Sequence, residues 1–160
     1  MTRTHGRAPA GERVSDNVPR NRGNVTSMLG GLTLRGGLEA MMTIEGGTDG
    51  DVFVAFLDEI LGPVLRNGDL VVMDNAGAHK DPRVRTTLEK YGAKPVYLPP
   101  YSPEFNPIEH AWFVLKDYLR SAKPRDVDAL NLAIRTGMRL VTPAMARALV
   151  RHCGYVAQLN

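Results

Sequence analysis

Two carboxylates stand where they could do chemistry together. Asp74 directly follows a short apolar run, Leu70, Val71, Val72 and Met73, and Glu109 falls three residues into a helix that the spacing predicts to open near Pro107. The 34 residues between them fit one crossover unit: a strand ending at Asp74, a helix from about 82 to 91, a strand over 94–98, a rigid loop, and the second helix. A right-handed βαβ connection of that kind brings both carboxyl groups to one end of a parallel sheet, where open α/β folds keep their sites. Paired carboxylates at a strand's C-terminal end suit a hard divalent cation.

Each acid also has a plainer explanation. A lone aspartate at a strand end is most often a turn residue. Asn75, Gly77 and His79 follow it in a polar, open loop where an amide and an imidazole can orient a metal ligand or a phosphate, although a single histidine is more commonly a surface group. Asn106-Pro107-Ile108-Glu109 has capping-box spacing, which gives Glu109 a purely structural job and makes Asn106 the helix cap. Favouring the chemical reading, Pro99, Pro100, Pro103 and Pro107 clamp the loop that delivers Glu109. A cap needs no such rigidity; a metal ligand does. Lys116 lies two turns beyond Glu109 on nearly the same face, placed to meet a phosphate or simply to be solvated.

Other elements must position these groups. Residues 1–24 read as an extended arm, rich in Gly, Pro and Arg without period. A strand over 25–34, a turn at 35–37 and a strand over 38–44 form a predicted hairpin, weakened by Gly30-Gly31. Thr48 and Asp51 have capping-box spacing ahead of a helical stripe of Val52, Phe53, Phe56, Leu57, Ile60 and Leu61. The run 70–73 suits a central strand covered on both faces. Asp81-Pro82 opens the next helix, with Val84, Leu88 and Tyr91 as its buried stripe. Ile108, Trp112, Leu115 and Leu119 mark one face of the helix after Pro107, and Trp112 reads as a core anchor on it. Two further helices are expected over 126–140 and 142–150. The division is an arm over 1–24, an α/β unit over 25–122 that carries both acids and a helical extension over 123–160.

At 160 residues the chain is long enough for one domain with a real core. A formal charge of +3 permits a polyanionic partner without demanding one. Distribution says more: six acids and no Lys or Arg lie between Gly36 and Leu65, while basic residues gather in the arm, at Lys80, Arg83 and Arg85, and at Lys116, Arg120, Lys123 and Arg125. Cys153 is alone, which excludes an intrachain disulfide and points to a reducing, cytoplasmic setting with a buried thiol. No apolar stretch approaches the roughly 20 residues of a membrane span, and the basic N-terminus lacks the apolar segment of a signal peptide.

VVMDNAGAHK and LPPYSPEFNPIEHAW, separated as they are, resemble the segments carrying the second and third acids of DDE transposases, specifically bacterial insertion-sequence enzymes of the mariner-like superfamily. GRAPAGERV and TDGDVFVAFL are also similar to that family's catalytic domain, so the resemblance covers nearly the whole chain. It implies an α/β fold, a ribonuclease H-like mixed sheet with flanking helices, with Asp74 and Glu109 as Mg²⁺ ligands (Mn²⁺ substituting), and Asn75, His79, Asn106 and Lys116 in supporting or DNA-facing positions. The implied partner is DNA, as element ends and target, together with a homodimer mate or a full-length transposase.

One departure goes with it. In that family the first acid ends the first strand, a little upstream of the segment that TRTHGRAPAGERV resembles, so that strand and its aspartate are expected to be missing here, as is the helix-turn-helix DNA-binding region. Glu12 and Asp16 follow no apolar run and are not taken as substitutes. Because two-ion catalysis bridges its ions with a shared carboxylate, the expectation is a truncated, inactive catalytic domain. The alternatives are a non-catalytic remnant that binds DNA or dimerises with a full-length transposase and dampens it, and a structure-selective nuclease on the same fold.

Overall fold

The computed structural model describes residues 8–13 and 25–156. Most of the arm expected over 1–24 lies outside the described residues. The chain then forms β1 (Thr26–Thr33) and β2 (Gly37–Glu45), an antiparallel hairpin whose register shifts between Gly31 and Leu32. The paired glycines that weaken this strand in the sequence have a packing reason. A Cβ on Gly30 would come within 2.8 Å of the Trp112 ring, and one on Gly31 within 2.5 Å of Leu61. Helices therefore close on the hairpin from both faces at its thinnest point.

Helix α1 (Gly50–Ala55) widens into a π-helical segment, Phe56–Leu61, and tightens to a 3₁₀ turn at Gly62–Val64, where Pro63 has no N–H to continue the ladder. Its cap is Asp49, whose carboxylate accepts from Val52 N–H at 3.0 Å, and the Thr48–Asp51 box expected from spacing is thereby displaced by one residue. Next come β3 (Leu70–Met73), a 3₁₀ turn (Gly77–Lys80), α2 (Arg83–Lys90) and β4 (Lys94–Tyr97). β3 and β4 pair in parallel, Leu70 opposite Lys94 and Met73 opposite Tyr97, as one crossover unit demands. The expectation of a strand covered on both faces fails for β3: Leu70 is exposed, and among the described residues β4 is its only hydrogen-bonded neighbour. Antiparallel and parallel pairing are both present, in two separate strand pairs among those residues.

A 3₁₀ turn (Pro103–Phe105) leads into α3 (Pro107–Ala122), followed by α4 (Val127–Met138) and α5 (Pro143–His152). Asp126 and Thr142 cap the last two through side-chain bonds from Ala129 N–H (2.7 Å) and Met145 N–H (3.3 Å). Two apolar clusters hold the layers. Phe53, Phe56, Leu57 and Leu61 pack with Val84, Leu88 and Met73 on one side of the hairpin; Ala111, Leu115 and Leu119 of α3 pack with Leu38, Ile134 and Val141 on the other. Trp112 is a partly buried member of the second cluster, and Cys153 is buried. Arg35, in the hairpin turn, bonds Asp69 just before β3 at 2.7 Å, tying the two strand pairs together. Among the described residues no helix is long and apolar enough to cross a membrane.

Candidate active site

The parallel pairing extends past both strands, because Leu98 N–H donates to Met73 carbonyl at 2.9 Å. Both chains therefore leave the sheet at the same end, and the side-chain amide of Asn75 donates to the Leu98 carbonyl, stitching the two exits together. Asp74 sits at that junction. Its Oδ1 accepts from Ala76 N–H at 2.9 Å and lies 2.7 Å from His79 Nδ1. Its Oδ2 makes no bond among the described residues, and the side chain is about half exposed at 52%. One oxygen is thus fixed and the other faces water.

His79 is itself held from three directions. Its ring packs on Phe53 of α1 with centroids 4.2 Å apart, Tyr97 Oη–H donates to its carbonyl at 2.8 Å, and its Nδ1 meets Asp74. Beside this turn, Arg83 binds Asp81 through Nε (2.9 Å) and Nη2 (2.7 Å) and reaches Asp51 at 2.6 Å. The Arg83 guanidinium and its backbone N–H hold the Asp81 carboxyl down at about 2, and the two carboxylates push Arg83 higher still.

The loop over 99–106 then runs to Glu109. Phe105 N–H bonds Ser102 carbonyl (3.2 Å), Asn106 N–H bonds Pro103 carbonyl (2.9 Å), and Tyr155, beyond α5, donates its hydroxyl to Phe105 carbonyl at 2.8 Å. The capping box expected here does not form. Asn106 is buried at the cap position with no side-chain capping bond, because Glu109 N–H, the donor such a cap would take, is already spent on the Asn106 carbonyl at 3.0 Å. The Glu109 carboxylate is exposed and has no hydrogen bond or ion pair among the described residues. The structural job that competed with a chemical one is therefore not being done.

The structure brings Asp74, Asn75 and His79 together at the strand ends. Asn106 and Glu109 lie at the far end of the loop that starts beside Asn75, and Lys116 lies two turns further along α3, half-buried and without an ion pair among the described residues. Sequence reasoning missed the Tyr97, Phe53 and Tyr155 contacts, since nothing in spacing signals a bond from a remote aromatic. It also missed His110, whose ring meets His152 edge-on at 5.1 Å and whose Nε2 is buried without a partner among the described residues.

Asp74 and Glu109 are each exposed hard carboxylates, a donor type of which Mg²⁺ takes one or two while filling its shell with water and phosphate oxygen. Among the described residues no three His, Cys, Asp or Glu side chains form a group able to hold a metal. Asp74 and His79 are already in contact, so Glu109 does not complete a three-residue group with them.

The crystal structure of the Mos1 strand transfer complex superposes on 99% of this chain and 51% of its own, with 16% identity and a TM-score of 0.61. A pre-cleavage Mos1 transpososome shares 16% identity over 99% of this chain and 53% of its own, at a TM-score of 0.49. The chain thus spans about half the length of these solved chains, and the first likeness shows a shared ribonuclease H-like fold. Comparison with curated proteins finds no match. The sequence profile of the DDE superfamily endonucleases matches residues 1–131, which is most of the chain and includes Asp74, Glu109 and the loop between them: the protein belongs to that family.

Proposed function

We propose that the chain is the catalytic-domain portion of a transposase, which cuts phosphodiester bonds at element ends and joins them to target DNA. The observation that supports this most is the state of Asp74, one carboxylate oxygen pinned by Ala76 N–H and His79 and the other free, at the shared end of β3 and β4. Glu109, released from any capping bond, supplies the second carboxylate on this reading. Mg²⁺, with Mn²⁺ as substitute, would be held by these two residues, and the chemistry it supplies when bound is activation of the attacking water or 3′-hydroxyl and stabilisation of the leaving oxygen. His79 keeps Asp74 in one rotamer, Asn75 fixes the distance between the strand exits, and Lys116 neutralises a phosphate along α3.

Two-ion chemistry also needs a carboxylate shared by both ions, and among the described residues no three His, Cys, Asp or Glu side chains, Asp74, His79 and Glu109 included, form a group able to hold a metal. On that ground the chain alone nicks DNA poorly. The test measures binding to element-end DNA with and without Mg²⁺, beside a nicking assay in Mg²⁺ or Mn²⁺. Expected are weak nicking and binding that Mg²⁺ strengthens in the native chain but not in the Asp74→Ala, Glu109→Ala double variant. Robust nicking abolished by Asp74→Ala would keep the ligand assignment and overturn the inactivity. Binding indifferent to both metal and the double variant would favour the non-catalytic DNA-holding or dimerising module instead.

A further inference from the structure

Two non-glycine residues among those described have positive φ. Lys123, at 50°, ends α3 in a left-handed cap, its N–H on Leu119 carbonyl at 3.1 Å, and the helix terminus accounts for it. Tyr101, at 55°, has no such account. It ends no helix, it is bulky, and its side chain is wholly exposed at 102%. A large aromatic residue in this conformation is an outlier, of the kind that clusters at ligand clamps and active sites. The fold gains no apolar burial from this ring, yet holds it outward on a loop that Pro99, Pro100 and Pro103 stiffen.

Its position is specific. Tyr101 stands three residues past Leu98, whose carbonyl Asn75 binds at the strand exit beside Asp74. Tyr97 and Phe105, on the same connection, are also partly exposed, and Phe113 follows one turn past Glu109 on the outward face of α3 at 70% exposure. Lys116 and Arg120 continue along that helix, with no ion pair among the described residues; Glu104, Glu109 and Asp117 are the acids interspersed. Single rings parted by prolines and polar groups do not make the contiguous apolar patch that a protein partner would cover. Rings interleaved with cations suit a ligand with flat faces and an anionic backbone.

We propose that Tyr101 stacks on an unpaired base at the end of the bound DNA and so seats the strand end beside Asp74. The inference rests on the DNA reading given above and adds the feature of DNA that the site recognises. Stacking of this sort tolerates any sequence, because every base has a π-face. It asks only that the base be unpaired.

The experiment compares the full chain's affinity for a duplex bearing a short single-stranded tail with its affinity for the blunt duplex, by anisotropy, with a fluorescent adenine analogue in the tail reporting stacking. Tyr101→Gly suits the backbone conformation, so its melting temperature should not fall. Expected is a preference of the native chain for tailed DNA that drops about tenfold in Tyr101→Gly, with blunt-duplex affinity unchanged and the analogue no longer quenched. Tyr101→Phe and Tyr101→Trp keep both signals, since the ring rather than the hydroxyl carries the contact. Unchanged preference in Tyr101→Gly, or equal loss on both DNAs, overturns the stacking role. Binding of both DNAs without preference by the native chain overturns it too while leaving the DNA reading in place, whereas binding of neither removes that reading and the inference together.

Discussion

His79 Nδ1 lies 2.7 Å from Asp74 Oδ1 while its ring rests on Phe53 of the first apolar cluster, so the imidazole joins Ala76 N–H in holding that one carboxylate oxygen. On the proposed reading Asp74 holds Mg²⁺, and groups that orient such a carboxylate typically contribute about ten- to a hundredfold to metal affinity. His79→Ala should therefore weaken Mg²⁺-stimulated DNA binding by about tenfold while metal-free binding stays level. His79→Asn, whose amide can donate from nearly the same place as Nδ1, should recover part of it. Equal Mg²⁺ stimulation in the alanine variant and the native chain would refute the orienting role.

Leu115 is fully buried between the hairpin and α4, and its Cδ1 would lie 2.5 Å from a Cβ on Gly137. Truncation there leaves a cavity that close-packed neighbours fill only in part, and Leu115→Ala should cost about 3 kcal/mol of unfolding free energy in urea. Phe113, two residues earlier, points to water, so Phe113→Ala should stay within about 0.5 kcal/mol of the native chain. The contrast tests which face of α3 is inward. Similar losses at the two positions would contradict the packing.

What the sequence made legible were the elements with a strong local signal. The four-residue apolar run before Asp74, the proline-bracketed loop and the 3.6-residue stripe on α3 each predict their element to within a residue or two, and the parallel pairing of β3 with β4 follows from the crossover between them. Caps were less legible. Thr48 and Asn106 have the right spacing, yet Asp49 takes the cap one residue after Thr48, and Asn106, though at the cap position, makes no side-chain capping bond because its carbonyl takes the N–H that its side chain would need. Exposure of Leu70 was not legible either, since an apolar run looks the same whether one face or both are covered. At the site, the residue types were readable. The Asp74–His79 contact and the backbone of Tyr101 needed the fold.

Gly37 has two independent reasons to resist substitution. Its φ of 81° lies in the left-handed region, and a Cβ there would run into the Val141 carbonyl, the same oxygen that accepts from Leu38 N–H at 3.2 Å. The hairpin turn is seated against the α4–α5 joint by backbone, which cannot swing away as a flexible side chain does. Gly37→Ala should then cost more than the roughly 1 kcal/mol that positive φ alone imposes, whereas Gly68→Ala, with φ of 89° and open space around its Cβ position, should cost about that much. Equal melting temperatures for the two variants would show that the contact with Val141 is dispensable.

The acid limb of stability should carry the signature of Asp81. Its carboxyl is lowered from 3.8 to about 2, first by the Arg83 side chain and then by the Arg83 N–H. A folded-state value below the unfolded one means that the unfolded chain takes up the proton first. The stabilisation is therefore complete above 3.8 and is lost as the pH falls through about 2. Asp69 adds in the same direction: burial raises its carboxyl, but the Arg35 guanidinium and Arg66 N–H outweigh that and hold it low. Asp58 is likewise lowered, by Lys90 and Tyr91. Thermal melts across this window should show the native chain losing melting temperature more steeply than Asp81→Asn, with Arg83→Ala flattening the slope as well, since it removes the guanidinium that depresses the group. Added salt should shrink the difference, because the Arg83 guanidinium that holds Asp81 is itself more than half exposed to solvent. A slope unaltered by either substitution would mean that the Arg83–Asp81 fork does not persist in solution.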